Sequence, residues 1–108
     1  MLLLDTNVLI YLLDGNRAIA DLIKDKLWYV SFINEIEILS KPDLTAAQTK
    51  ATQALLNECI IIEMSASIKE RTIENCKKHK LKLADSIIFS TAQEIEAPLI
   101  TADQILNE

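Results

Sequence analysis

Four acidic side chains stand where an ionised carboxylate has a chemical use: Asp5 in LLLDTNVLIYLL, Glu37 in SFINEIEIL, Asp85 in LADSIIFSTA and Asp103 in PLITAD. Asp5 interrupts an apolar run and is followed at once by a hydroxyl, Thr6, and an amide, Asn7. A carboxylate taken out of water needs donors or a cation, so Asp5 belongs at an edge of the core where something meets it. Each acid singly has an ordinary explanation. Asp5 and Asp103 could cap helices, Asp85 could complement a helix dipole, and Glu37 could be a surface charge. Gathered at one edge, however, the four repel one another unless a cation neutralises them. An oxygen-only donor set selects a hard ion, Mg²⁺ or Mn²⁺, over zinc.

The elements that must gather them are legible as short apolar strands alternating with helices. Leu2 to Leu4 read as a buried strand, and Asp5-Thr6-Asn7 as the cap of a helix running through Leu13. Asp14-Gly15-Asn16 marks a turn, a helix is expected over 17–26, and LWYV at 27–30 is the second strand. A helix from Ile33 to Ser40 stops before Pro42. Another covers LTAAQTKATQALLNE at 44–58, with Thr45 as its cap. Cys59 to Ile62 read as a third buried strand, and Ser65 or Ser67 opens the next helix, Ser67 having capping-box spacing to Glu70. Ile68, Thr72, Ile73 and Cys76 fall on one arc of it. Ala84 to Ile95 form the last helix, with Ala84, Ile88, Thr91, Ala92 and Ile95 on a stripe, and Pro98 introduces the strand LIT at 99–101.

Such a pattern predicts an α/β fold of three layers, α/β/α, around a mostly parallel sheet of four or five strands, covered on both faces. Ligand sites in such sheets lie at the carboxyl ends of strands. Asp5 follows the first strand and Asp103 the last, so both are expected at that edge. On the helical wheel of SFINEIEIL, Ile33, Ile36 and Leu39 define the inward arc. Glu37 lies at its margin and Glu35 faces water.

Composition narrows the function further. The 108 residues, half of them apolar, suit one domain over 1–108 with a single core. The longest apolar run, Val8 to Leu13, is far below the roughly 20 residues that span a bilayer, and no signal-peptide flanks frame it. A cytoplasmic chain without a membrane segment is expected. The lone glycine, Gly15, excludes phosphate-cradling and dinucleotide-binding loops. Cys59, Cys76 and the single histidine, His79, lack zinc-site spacing, and the cysteines read as small buried hydrophobes. Net charge is −5, so no global positive field attracts nucleic acid. Basic charge gathers only in KKHKLK at 77–82, as a helix end complementing its dipole or as a phosphate contact.

LLLDTNVLIYLL, Glu37 within VSFINEIEIL, LADSIIFSTA around Asp85 and PLITAD ending in Asp103 together resemble the PIN domain, in particular the VapC-like ribonuclease toxins. The resemblance covers nearly the whole chain. It implies metal ligation by Asp5, Glu37, Asp85 and Asp103, with Thr6, Asn7 and Thr101 as polar companions that orient carboxylates or water. It also implies metal-assisted hydrolysis of RNA phosphodiesters by Mg²⁺ or Mn²⁺. Lys77, Lys78, Lys80 and Lys82 would then meet flanking phosphates. The chain departs from the family pattern after Asp103, where Gln104, Ile105 and Leu106 stand in place of further acids.

The resemblance further implies a homodimer and a small antitoxin partner, for which Ile10, Leu13, Ile19 and Ile23 are candidate contacts; ordinary core packing is the competing explanation for each. A second reading is a catalytically inactive module of the same fold that binds RNA or a partner. Metal-dependent cleavage separates the two. A third, phosphotransfer through Asp5 as nucleophile, fits poorly, because DTNV has Asn7 where a second acid is needed and CIIIEM offers only Glu63 after the third strand.

Overall fold

Leu3 and Leu4 are completely buried yet point to opposite faces of one strand, and that alternation organises the molecule. The structure, a computed structural model, describes residues 1–101. Its elements in chain order are β1 (Leu2–Leu4), α1 (Thr6–Leu13), α2 (Arg17–Ile23), β2 (Trp28–Ser31), α3 (Phe32–Leu39), α4 (Ala46–Asn57), β3 (Ile60–Ile62), α5 (Ala66–His79), α6 (Leu83–Ile95) and β4 (Leu99–Ile100). Among the described residues the strands form one four-stranded parallel sheet in the order β3-β2-β1-β4. Leu3 is registered against Tyr29 on one side and Leu99 on the other.

One face of the sheet presents Leu4 and Val30 to Val8, Leu9, Ile19, Ile23, Ile38 and Leu56, the larger core beneath α1 to α4. The other presents Leu3, with Tyr29 and Leu99, to Ile88 and Ala92 of α6. Helices thus cover both faces, as continuous apolar strands require. The three-layer α/β/α fold expected from the sequence is the fold found.

Several details differ from the sequence expectation. β3 is an edge strand whose Ile60 is 42% exposed, not a buried one, because nothing pairs with its outer side among the described residues. Ile19 and Ile23 are core residues at 0% and 2% exposure, which removes them as surface contacts. On α3 the inward arc is Asn34 and Ile38, with Ile33 and Leu39 half-buried, while Ile36 is exposed. Glu35 is correspondingly half-buried and Glu37 exposed, the reverse of the expected order. On α5, Asn75 joins the buried arc and Ile73 leaves it.

Helix ends also shift. Ser65, not Ser67, caps α5 by accepting from the Ile68 N–H. α2 ends at Ile23, three residues early, and Trp28 Nε1 donates to the Ile23 carbonyl at 2.7 Å. Thr45 does cap α4, in a full capping box with Gln48. Cys59 and Cys76 are free and half-buried. No helix among the described residues is long and apolar enough to cross a membrane.

Candidate active site

Asp5 ends β1 and caps α1 with the same residue. Its N–H donates to the Ile100 carbonyl at 3.1 Å, extending the β1–β4 ladder by one step. Its carbonyl accepts from the N–H groups of Val8 and Leu9, and its side-chain Oδ1 accepts from the Thr6 N–H at 2.8 Å. A strand that runs directly into a helix through an Asp cap fixes this carboxylate at the carboxyl edge of the sheet. Capping and the role suggested for Asp5 are therefore compatible, because the cap occupies Oδ1 only.

From α3, Asn34 reaches the same point. It is completely buried, and its Nδ2 donates to Thr6 Oγ1 at 2.8 Å and to Asp5 Oδ1 at 3.5 Å. Thr6 Oγ1 in turn donates to Glu37 Oε1 at 3.0 Å. One amide thus organises Asp5, Thr6 and, through Thr6, Glu37. Asn34 Oδ1 is buried without a partner among the described residues. Sequence reasoning missed Asn34. The available signal was an amide four residues before Ile38, inside the buried stripe of α3.

Asp85 occupies the first turn of α6 and is exposed. With Asp5 and Thr101 it forms the polar wall of a cavity of about 270 Å³, whose other wall is Leu81, Ile88, Phe89 and Leu99. The structure therefore brings Asp5, Asp85 and Thr101 to one concavity at the ends of β1 and β4. Glu37 does not line it and is connected to Asp5 only by way of Thr6. Asn7 is exposed on the first turn of α1. Asp103 lies outside the described residues. Lys77 and Lys78 are exposed in the last turn of α5, Lys80 is its left-handed C-cap, and Lys82 precedes α6 as its N-cap.

Among the described residues the ion pair is Arg71–Glu94, at 2.7 Å between α5 and α6, so Asp5, Glu37 and Asp85 have no cationic side chain beside them. Nor do three or more His, Cys, Asp or Glu among them gather closely enough to hold a metal ion. Asp5 and Asp85 supply an oxygen-only pair across one cavity, and the Thr6 and Asn34 donors both meet Asp5 on Oδ1. That donor chemistry fits a hard divalent cation.

The PIN domain family model matches residues 2–108. Among solved structures, the chain is similar to one in a toxin-antitoxin complex from Klebsiella pneumoniae, at 33% identity and a TM-score of 0.82, covering 94% of this chain and 85% of that one. It is also similar in fold to a chain of VapBC2 from Rickettsia felis, bound in that structure to a DNA fragment from its promoter: 20% identity, TM-score 0.82, covering 93% and 85%. A chain of FitAcB from Neisseria gonorrhoeae shares the fold at 21% identity and a TM-score of 0.76, covering 94% and 86%. No curated protein gives a significant match. With its sheet order, its Asp5 junction and a family match over nearly its whole length, the chain belongs to the PIN domain family.

Proposed function

We propose that this protein is a Mg²⁺- or Mn²⁺-dependent endoribonuclease, the toxin of a toxin-antitoxin pair. The observation that carries the reading is the convergence of Asp5 and Asp85 on one cavity at the carboxyl edge of the sheet, with Asp5 pinned there by the Thr6 and Asn34 donors. Membership of the PIN domain family and the toxin-antitoxin composition of its relative at 33% identity support it.

Asp5 and Asp85, with Asp103, would hold the ion, and Glu37 would reach it directly or through water. When bound, the divalent ion acidifies a water and offsets charge developing on the phosphoryl oxygens. Asn34 and Thr6 keep the Asp5 and Glu37 carboxylates oriented, and Thr101 closes the polar wall. Asn7 would complete the set of polar companions. Lys77, Lys78, Lys80 and Lys82 surround the α5–α6 connection and would contact phosphates flanking the cut.

An RNA substrate, a homodimer and a small antitoxin complete the proposal. Ile10 and Leu13 remain candidates for the protein contacts: with Ile38, Leu44 and Ala51 they line a separate cavity of about 200 Å³ between α1 and α4. The second reading, a non-catalytic module, draws on the absence of a three-carboxylate cluster among the described residues.

End-labelled RNA incubated with purified protein in Mg²⁺ or Mn²⁺, against EDTA, decides between them. Asp5→Asn is the informative variant, since asparagine caps a helix as well as aspartate does and the fold is retained. Metal-dependent cutting that is lost in Asp5→Asn supports the nuclease. A folded wild type that binds Mn²⁺ and cuts nothing rejects it.

A further inference from the structure

The cavity beside Asp5 is only half explained by hydrolysis. Of its seven lining residues, four are apolar: Leu81, Ile88, Phe89 and Leu99. Ile88 and Leu99 also pack with Leu3 in the core beneath α6, so Leu81 and Phe89 are the two that call for a ligand, and neither offers the donors or cations that phosphate alone would need. The lining is ordered along two elements. On α6, Ile88 and Phe89 stand three and four residues beyond Asp85, so one helix face carries the carboxylate first and the apolar pair a turn later. On the β4 segment, Leu99 precedes Thr101 by two residues and shares its side of the chain. Both elements therefore run from a polar end to an apolar body.

We propose that this apolar body is a nucleobase subsite, receiving one unpaired base of single-stranded RNA next to the scissile phosphate. The inference rests on the nuclease reading and adds the recognition element to it. A nucleotide joins an anionic phosphate to a flat, largely apolar base, and the cavity offers an acidic, cation-binding end continuous with an apolar body. Phe89 supplies the aromatic surface on which bases stack irrespective of sequence. His79 and Phe89 make a T-shaped pair, with centroids 5.9 Å apart and planes at 86°, which ties Phe89 to the end of α5. Leu81, 38% exposed, forms the rim between exposed Lys80 and Lys82, which places two cations where the strand enters. A base stacked and paired inside a duplex cannot enter; one in a loop or single strand can.

The test uses single-stranded RNA oligomers of one sequence, each with an abasic ribonucleotide at a different position. Cleavage is followed in Mn²⁺ with wild type, Leu81→Asn and Phe89→Ala. Removing the base adjacent to the cut is expected to raise KM about fivefold to a hundredfold, the range found for single base–aromatic stacks. The same oligomer should carry little further penalty in Phe89→Ala. Leu81→Asn, on the exposed rim, keeps the fold and should raise KM in the same sense if Phe89→Ala is too unstable to assay. Normal cutting with an unchanged KM at every abasic position overturns the subsite and leaves the nuclease standing. If the wild type cuts nothing, methyl NMR with 5′-AMP and 5′-UMP gives a separate answer. Shifts confined to Leu81, Ile88 and Leu99 retain the base subsite without the nuclease, and no shifts at millimolar nucleotide reject it.

Discussion

Asn34 Nδ2 lies 2.8 Å from Thr6 Oγ1, so a wholly buried amide on α3 fixes the first residue of α1 and, with it, the junction that holds Asp5. The amide has no solvent to turn to, and its own Oδ1 is unpartnered among the described residues. Such a group is retained at a cost to stability, which is reasonable where it orients chemistry. Asn34→Ala is expected to cost about 1–3 kcal/mol in urea unfolding, because Thr6 loses its buried donor. It should also lower RNA cleavage mainly through kcat, as the Asp5 and Glu37 carboxylates lose their common reference. Unchanged kcat in a folded Asn34→Ala would remove Asn34 from the site.

The capping box of α4 is a control far from that chemistry. Thr45 Oγ1 accepts from the Gln48 N–H at 3.0 Å, and Gln48 Oε1 accepts from the Thr45 N–H at 2.9 Å. Thr45→Ala should cost about 0.5–2 kcal/mol, and Thr45→Ser much less. Denaturant midpoints measure both. Specific activity of the folded fraction should not change; if it does, α4 is coupled to the site in a way its hydrogen bonds do not show.

What sequence could and could not deliver follows from the range of each signal. The Asp5 position was legible because a short apolar strand followed by a capping residue leaves one geometry for the junction. Parallel pairing and helices on both faces follow from βα alternation, whereas the order β3-β2-β1-β4 depends on which strands meet across the chain, and no local pattern carries that. The inward arc of α3 departs from its apolar pattern because hydrophobicity is not the only cause of burial. Asn34 is buried for its hydrogen bonds while Ile36 is exposed, so a polar residue in the stripe inverted the wheel and exchanged Glu35 with Glu37. Ile19 and Ile23 looked available for partners because a short helix carries no record of what covers it. Asp103 lies outside the described residues.

At the opposite end of the sheet, before β3, Cys59 Sγ donates to the Leu55 carbonyl at 3.5 Å. Burial first, and the neighbouring Glu58 carboxylate second, push its thiol up from 9.0 to about 11. Folding therefore favours the neutral thiol. The stability this contributes is whole below pH 9.0, the unfolded value, and is lost as pH rises through about 11. At pH 8 alkylation of Cys59 by iodoacetamide, mapped by mass spectrometry, should be much slower in the native protein than in urea. Equal rates in the two states would show that the thiol is neither buried nor perturbed.

Glu96 ends α6 in the left-handed region, at φ 53°, where a β-carbon is costly. Glycine usually serves at such helix ends, but the chain has one glycine, at Gly15. Glu96→Gly should relieve the strain yet loosen the unfolded chain, for a net gain of about 0.5 kcal/mol. Glu96→Ala, which keeps the β-carbon, should gain nothing. A thermal melt in which the alanine variant gains as much as the glycine variant would assign the effect to lost charge instead of backbone conformation.

The carboxylates themselves make the last prediction. Asp5 and Asp85 face one cavity, with no basic side chain ion-paired to either among the described residues. An ion that binds the folded chain alone stabilises it by mass action, by about 2.7 kcal/mol at a free concentration a hundredfold above Kd. For a domain of this size that corresponds to a rise in Tm of roughly 10 °C or more. Mn²⁺ should therefore raise the Tm of the wild type, with EDTA reversing it, whether or not RNA is cut. Asp85→Asn removes one of the two facing charges and should abolish most of the rise. In the absence of metal its Tm should stay near that of wild type, because relief of repulsion from Asp5 offsets the lost dipole contact at the start of α6. A Tm insensitive to Mn²⁺ in the wild type, or a rise that survives in Asp85→Asn, would mean that these two carboxylates do not share an ion.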